Sequence, residues 1–488
     1  MMNSIEKLTE LLLKKSEIAK GGEGKLKDGA LSARTRIAML FDEGSFIELG
    51  AFVTARDNSL ASDGVITGYG TIDGRLVYAY SQDETVLNGA IGEMNAEKIC
   101  KIFKMASEMG APVVGMLDSN GVRLQEGAMA QAAMGKILNA SASVSGVVPN
   151  ISIVFGNCAG GSAIAAGMSD FVIMNGKNGR LFVNGPAVTE ATTGKTSPAD
   201  AKANVNESGN AHLIGADDSE CIGLARLLLT YLPSNNLSDA FEFETEDDLN
   251  RTSDILSSVD DIADVRVIVS EIADDKAYFE LQEGYGEELS TGFIRLNGSS
   301  VGVVASNGEE LTANAASKCA RFVRFCDAFN IPVLTVTDVD GFKVSREEEL
   351  NGLVKKCASL TYAFSQATTA KVNLIVKKAY GTAGVMMNSK QLGADIVLSY
   401  PAAEIAPLNA RAGAAMLYAE DLKSGASRED VYEKYKENEA SVYSAAALGV
   451  VDDVIDPRES RSRVIGAFEM LRSKRASIVN RKHDNMPL

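Results

Sequence analysis

Apolar and polar positions along this chain follow two periods, one helical and one extended. Residues 3–20 carry apolar side chains at helical spacing among Lys and Glu. This predicts an amphipathic helix, broken by Gly21, Gly22 and Gly24. Arg34 to Leu40 predicts a second helix, stopped at Glu43-Gly44. From Gly64 the period shortens. Gly64–Gly74 and Arg75–Tyr80 read as two strands around an Asp73-Gly74 hairpin turn. Glu93 to Met109 returns to helical spacing. Pro112–Leu117 is continuously apolar and predicts a buried strand ending in Asp118-Ser-Asn-Gly121. After another helix, Ile151–Phe155 predicts a strand that runs into Gly156-Asn-Cys-Ala-Gly-Gly161, and Phe171–Met174 predicts a third.

The second half repeats the series. Ser317–Phe329 reads as a helix and Pro332–Thr337 as a strand ending in Asp338-Val-Asp-Gly341. Val372–Val376 follows as a strand, ending in Lys378-Ala-Tyr-Gly-Thr-Ala383, and Ile396–Ser399 as another. Gly121 and Gly160 are separated by nearly as many residues as Gly341 and Gly381. One long repeat of this kind predicts two homologous domains. Alternating strands and helices make each an α/β unit. The polar, acidic stretch Tyr231–Arg251 is the expected join, so the domains are set at 1–240 and 241–488.

Composition changes this picture in a few places. The 488 residues are 45% hydrophobic and 23% charged, an ordinary globular mixture. A formal charge of −17 argues against a nucleic-acid partner, which needs a basic face. No apolar run reaches the roughly 18 residues of a membrane span, and charges scatter through Met1–Lys15, so a soluble, cytoplasmic protein without membrane insertion is expected. The six Cys form no C-x-x-C pair and read as buried free thiols. Only two His exist, His212 and His483. That disfavours Ser-His-Asp and Cys-His chemistry and supplies no metal site, and both are expected at the surface. Catalysis would then rest on backbone dipoles or an imported cofactor.

The glycine turns are the candidate chemistry. Gly160-Gly161 ends a strand and opens a helix, which leaves backbone N–H groups free for an oxyanion such as a thioester enolate. Gly381-Thr382-Ala383 is the matching turn in the second half. Gly121-Val122 and Gly341-Phe342 could each add an amide. The same glycines would also serve close strand–helix packing, and only their duplication favours paired anion pockets.

Several motifs resemble the biotin-dependent acyl-CoA carboxyltransferases. They include Asp118-Ser-Asn-Gly-Val-Arg-Leu-Gln-Glu-Gly127, Gly156–Gly161, Ser81-Gln-Asp83, Gly92-Glu93, Ala96-Glu-Lys98 and Leu228–Asn236. Ala320–Pro332, Lys378-Ala-Tyr-Gly381 and Arg481–Leu488 continue the likeness, in order, from about Arg34 to the end. The resemblance implies two crotonase-like (ClpP/crotonase) domains, the first binding acyl-CoA and the second biotin. It implies a homo-hexamer with a cleft shared between chains. Gly160, Gly161 and Val122 would then hold the enolate, and Thr382 and Ala383 the ureido oxygen of biotin. Gly121, Gly381, Gly384 and Val385 would line the substrate, with Val385 on the acyl wall and Gly384 leaving extra room. The chain lacks a Met-Lys-Met biotin site, so biotin would arrive on a separate carrier protein, with a biotin carboxylase or a membrane decarboxylase subunit as further partner. A methylmalonyl-CoA or propionyl-CoA substrate is expected, on the decarboxylase side; an ATP-dependent carboxylase β chain is the alternative. Thr382, Gly384-Val385 and Lys343–Glu349 depart from the family pattern. Two rivals stay open: a non-catalytic scaffold, and a crotonase-type hydratase or thioesterase using Glu93, Glu126 or Asp170.

Overall fold

The computed structural model describes every residue except 1–3, 56–59, 477–478, 480, 484 and 487–488. Asp484, Pro487 and Leu488 of the carboxyl-terminal motif therefore lie outside the described residues. The chain divides into two compact units, Met1–Ser238 and Asp239–Leu488.

In the first unit the strands are β1 (Ile47–Leu49), β2 (Val65–Ile72), β3 (Arg75–Gln82), β4 (Val113–Ser119), β5 (Asn150–Ala159), β6 (Phe171–Asn175), β7 (Arg180–Phe182) and β8 (Leu213–Gly215). The helices are α1 (Ser4–Lys20), α2 (Ala33–Leu40), α3 (Glu93–Met109), α4 (Ala128–Val144), α5 (Gly161–Gly167), α6 (Pro186–Thr193) and α7 (Asp218–Tyr231). The sheet order is β1-β2-β3-β4-β5-β6-β8, with β7 alongside β5. The β2–β3 hairpin is antiparallel, and β3 through β6 are parallel. All seven residues of β4 are buried, as a central parallel strand covered on both faces requires.

The second unit repeats this arrangement. Its strands are β9 (Phe279–Leu281), β10 (Leu289–Leu296), β11 (Ser299–Ser306), β12 (Val333–Val339), β13 (Lys371–Tyr380), β14 (Ile396–Ser399), β15 (Glu404–Ala406) and β16 (Asp453–Val454). Their order is β9-β10-β11-β12-β13-β14-β16, with β15 alongside β13. The helices used below are α8 (Val265–Ile272), α9 (Ala313–Ala328), α10 (Arg346–Leu350), α11 (Leu353–Gln366) and α12 (Gly381–Met386). Each unit has its own core. One is built around Phe103, Val113 and Val154, the other around Val303, Val336 and Leu374.

Two expectations from the sequence change here. His212 is not a surface residue. It is buried, its ring sits edge-on to Phe171 at 5.4 Å, and its Nδ1 accepts the Val172 N–H at 3.0 Å. Of the six cysteines Cys100 is only half-buried; the others are buried, and all are free. Among the described residues no helix is long and apolar enough to cross a membrane.

Candidate active site: two matching amide cradles

The carboxyl ends of β4 and β5 meet in the first unit. Gly121 follows β4 with φ +102°, a conformation that favours glycine. A Cβ there would stand 3.8 Å from the Ala159 carbonyl oxygen, so this loop lies beside the turn after β5. Asn157 Nδ2 donates to Asn120 Oδ1 across the gap at 2.6 Å. Ile91 N–H donates to the Gly121 carbonyl, and Arg123 N–H to the Ile91 carbonyl, both at 2.8 Å. This parallel bridge leaves the intervening Val122 N–H turned away from Ile91.

Gly160, at φ +59°, makes the turn into α5. Its own N–H is taken: it donates to the Phe182 carbonyl at 2.9 Å and extends the β5–β7 ladder. Gly160 therefore shapes the turn, and the expectation that its amide holds an oxyanion is corrected. The free first-turn amides are those that follow it, beginning with Gly161. A Cβ on Gly161 would meet Met134 Cγ at 2.6 Å, so glycine is also what lets α5 close on α4. The buried Ser162 hydroxyl beside it has no protein partner.

The second unit builds the same cradle. Gly341, at φ +133°, follows β12, and Leu311 and Phe342 form the bridge that Ile91 and Val122 form in the first. Gly381, at φ +61°, opens α12. Thr382 is exposed and Ala383 buried, in the positions of Gly161 and Ser162. Between the loops, the first unit's amide pair is replaced by an ion pair, Lys378 Nζ to Asp340 Oδ2 at 3.4 Å. Behind it Asp338 is buried and its carboxyl is raised, chiefly by desolvation against the pull of Lys377 and Lys378. Tyr380, the residue before Gly381, donates its hydroxyl to Glu404.

Gly384 does not provide extra room for a substrate. It is buried, and its missing Cβ would lie 2.5 Å from the Ala379 carbonyl carbon, so it serves the packing of α12 on β13. Val385 is 45% exposed, as is its counterpart Ile164 at 48%, so both stand on open ground beside a cradle. Two of the carboxylates open to a hydratase, those of Glu126 and Asp170, are engaged elsewhere. Glu126 accepts the Glu93 N–H at 2.6 Å and Arg123 Nη1 at 2.8 Å. Asp170 accepts the Asn150 N–H at 2.8 Å. That contact is at the opposite end of ten-residue β5, about 30 Å of strand from the Gly160 turn. Arg123 and Asp63 carry no local signal of a functional role, although Arg123 adjoins Val122 in the Asp118–Gly127 motif. Their burial is invisible in composition.

A family model described as the carboxyl transferase domain matches residues 25–486. The chain belongs to the carboxyl transferase family. It is 41% identical to methylmalonyl-CoA decarboxylase subunit alpha of Propionigenium modestum, with 100% of both chains covered. It is 40% identical to a propionyl-CoA carboxylase beta chain of Roseobacter denitrificans over 94% of each. A transcarboxylase 12S crystal structure, a hexamer assembly with methylmalonyl-coenzyme A and methylmalonic acid bound, superimposes with a TM-score of 0.94 at 36% identity, covering 100% of this chain and 99% of that one. The two units are accordingly a duplicated crotonase-like fold.

Proposed function

We propose that this protein is a biotin-dependent carboxyltransferase that moves CO2 between an acyl-CoA of the methylmalonyl-CoA/propionyl-CoA class and biotin held by a separate carrier protein. The observation that carries this reading is the pair of matching amide cradles in a chain similar over its whole length to the 12S subunit solved with methylmalonyl-CoA. In the first unit the N–H groups of Val122 and Gly161 receive the thioester oxygen, and negative charge grows on that oxygen as the α-carbon gives up CO2, or gives up its proton before taking CO2. Preorganised donors aimed at developing charge are the largest single source of catalysis in such chemistry. In the second unit the amides of Thr382 and Ala383 suit a ureido carbonyl. It needs N–H donors and an open approach, and exposed Thr382 after Gly381 provides both. Biotin supplies the nitrogen that carries CO2. The proton exchanged for CO2 at the α-carbon would pass to or from that same ureido nitrogen, so no histidine base is asked of the chain.

The decarboxylase direction is favoured by the end-to-end match to the Propionigenium modestum subunit, which would make a membrane decarboxylase subunit the partner. The similarity to the Roseobacter denitrificans chain favours the alternative, a biotin carboxylase partner and the use of ATP. The hexamer of the 12S structure supports a hexamer here. The test is CO2 loss from methylmalonyl-CoA by the purified chain with free biotin, and by the reconstituted complex with and without avidin. Avidin-sensitive turnover without ATP is expected. Turnover by the chain with neither biotin nor carrier would overturn the reading.

A further inference from the structure

We infer that Arg123, clamped by Asp63 and Glu126, is a positioning residue that fixes the direction of the Val122 amide in the acyl-side cradle. This deepens the proposed function and rests on its assignment of Val122.

The guanidinium is 4% exposed and Asp63 is fully buried. Arg123 Nη2 donates to Asp63 Oδ1 at 2.6 Å and to the Ala90 carbonyl at 3.1 Å. Nη1 donates to Glu126 Oε1 at 2.8 Å and reaches Asp63 Oδ2 at 3.3 Å. Glu126 uses its other oxygen on the Glu93 N–H, which ties the clamp to the start of α3. Room for the clamp is made at Gly92, where a Cβ would lie 2.3 Å from Glu126 Oε1 and 2.6 Å from Arg123 Nη1. The side chain thus spans the start of β2, the loop before α3 and the loop after β4. The residue next to Val122 is held at both its backbone and its fork.

The second unit shows what the clamp is not needed for. There the same bridge forms, Leu311 N–H to the Gly341 carbonyl at 2.8 Å and Lys343 N–H to the Leu311 carbonyl at 3.0 Å. Glu348, on α10, caps α9 through the Ala313 N–H at 2.7 Å, as Glu126 caps α3. Yet Lys343, in the place of Arg123, is exposed. The backbone bridge and the helix cap therefore form without a buried cation. A buried ion pair is weak evidence for stability, because desolvation offsets much of its attraction. What the planar, bidentate fork adds is direction. A misplacement of about 1 Å in a catalytic donor can cost on the order of 10²-fold in rate.

The test uses Arg123→Lys, Arg123→Met and Asp63→Asn in the full chain. Two readouts are combined: steady-state decarboxylation of methylmalonyl-CoA with free biotin as the acceptor, and calorimetric affinities for propionyl-CoA and for its 2-nitro analogue, whose nitronate mimics the enolate. We expect kcat to fall by about 10²-fold in Arg123→Met and Asp63→Asn, while KM shifts by no more than about threefold. Nitronate affinity should fall in step with kcat and propionyl-CoA affinity should hold, with Arg123→Lys recovering only part of the loss. Folded Asp63→Asn or Arg123→Lys protein with wild-type nitronate affinity would overturn the inference. So would a parallel loss of both affinities, the mark of a purely structural role. If Arg123→Met does not fold, the other two variants decide. Wild-type protein that binds the nitronate no more tightly than propionyl-CoA would instead sink the assignment of the cradle itself.

Discussion

Gly161 shows how one missing side chain can serve both packing and chemistry. Its absent Cβ is occupied by Met134, and its N–H stands in the first turn of α5. Gly161→Val is expected to lower kcat by about 10²-fold, the cost of disturbing an oxyanion donor. Adding Met134→Ala separates the two roles. If the double variant regains wild-type kcat, crowding against α4 was the whole effect and the amide has no catalytic part. Gly384 has only the packing role. Gly384→Ala drives a Cβ into the Ala379 backbone, which cannot yield as a flexible side chain can. A destabilisation of about 1–3 kcal/mol is expected for overpacking at such a site, read as a lowered unfolding midpoint. Val385, half-exposed beside the same turn, is the position where acyl selectivity should change. Val385→Asp is expected to lower kcat/KM for glutaconyl-CoA, whose distal carboxylate it would repel, more than for methylmalonyl-CoA; an unchanged ratio places selectivity elsewhere.

Among the elements, the β2–β3 hairpin depends on a residue outside it. Asp42 accepts N–H groups from Asp73 and Gly74, each at 3.0 Å, and the Thr71 hydroxyl at 2.8 Å. Arg226 of α7 reaches both Asp42 and Asp73. The Gly74 N–H first, then Thr71, Asp73 and Arg226, outweigh desolvation and hold the Asp42 carboxyl down at about 2. A carboxyl lowered in the folded state stabilises it above the unfolded value near 3.8. That contribution fades as pH falls from about 4 toward 2. The unfolding midpoint of wild type should therefore drop between pH 5 and pH 2.5 by more than that of Asp42→Asn; equal drops would remove Asp42 from the acid response. The long elements were legible in the sequence because their periods are strong. The helix at Glu93–Met109 and the strand at Ile396–Ser399 lie where the apolar pattern puts them. The three-residue strands β1, β7, β8, β9 and β15 were not, since three residues establish no period. The same limit hid the occupied Gly160 amide, because its acceptor, Phe182, belongs to β7.

At the scale of the whole molecule, the duplication that spacing alone suggested is present as two sheets of the same order, each with a separate core. The sequence carried the turns of the candidate site but not their long-range partners: Asp63 lies 60 residues from Arg123 and gives no local signal. The separate cores permit a test of which unit takes which substrate. Large-to-small changes act within the core that contains them. Val154→Ala should therefore lower one step of thermal unfolding and Val376→Ala the other, as followed by scanning calorimetry. A ligand that binds only the folded form raises the step of the unit it occupies, by about 2.7 kcal/mol at a hundred times its Kd. If the first unit holds acyl-CoA and the second biotin, propionyl-CoA should raise the step that Val154→Ala lowers, and millimolar biotin the step that Val376→Ala lowers. The reverse pairing would exchange the roles of the two units. A single step moved alike by both substitutions would mean that the units unfold as one, and the division of labour would then have to be read from Gly161 and Thr382 variants instead.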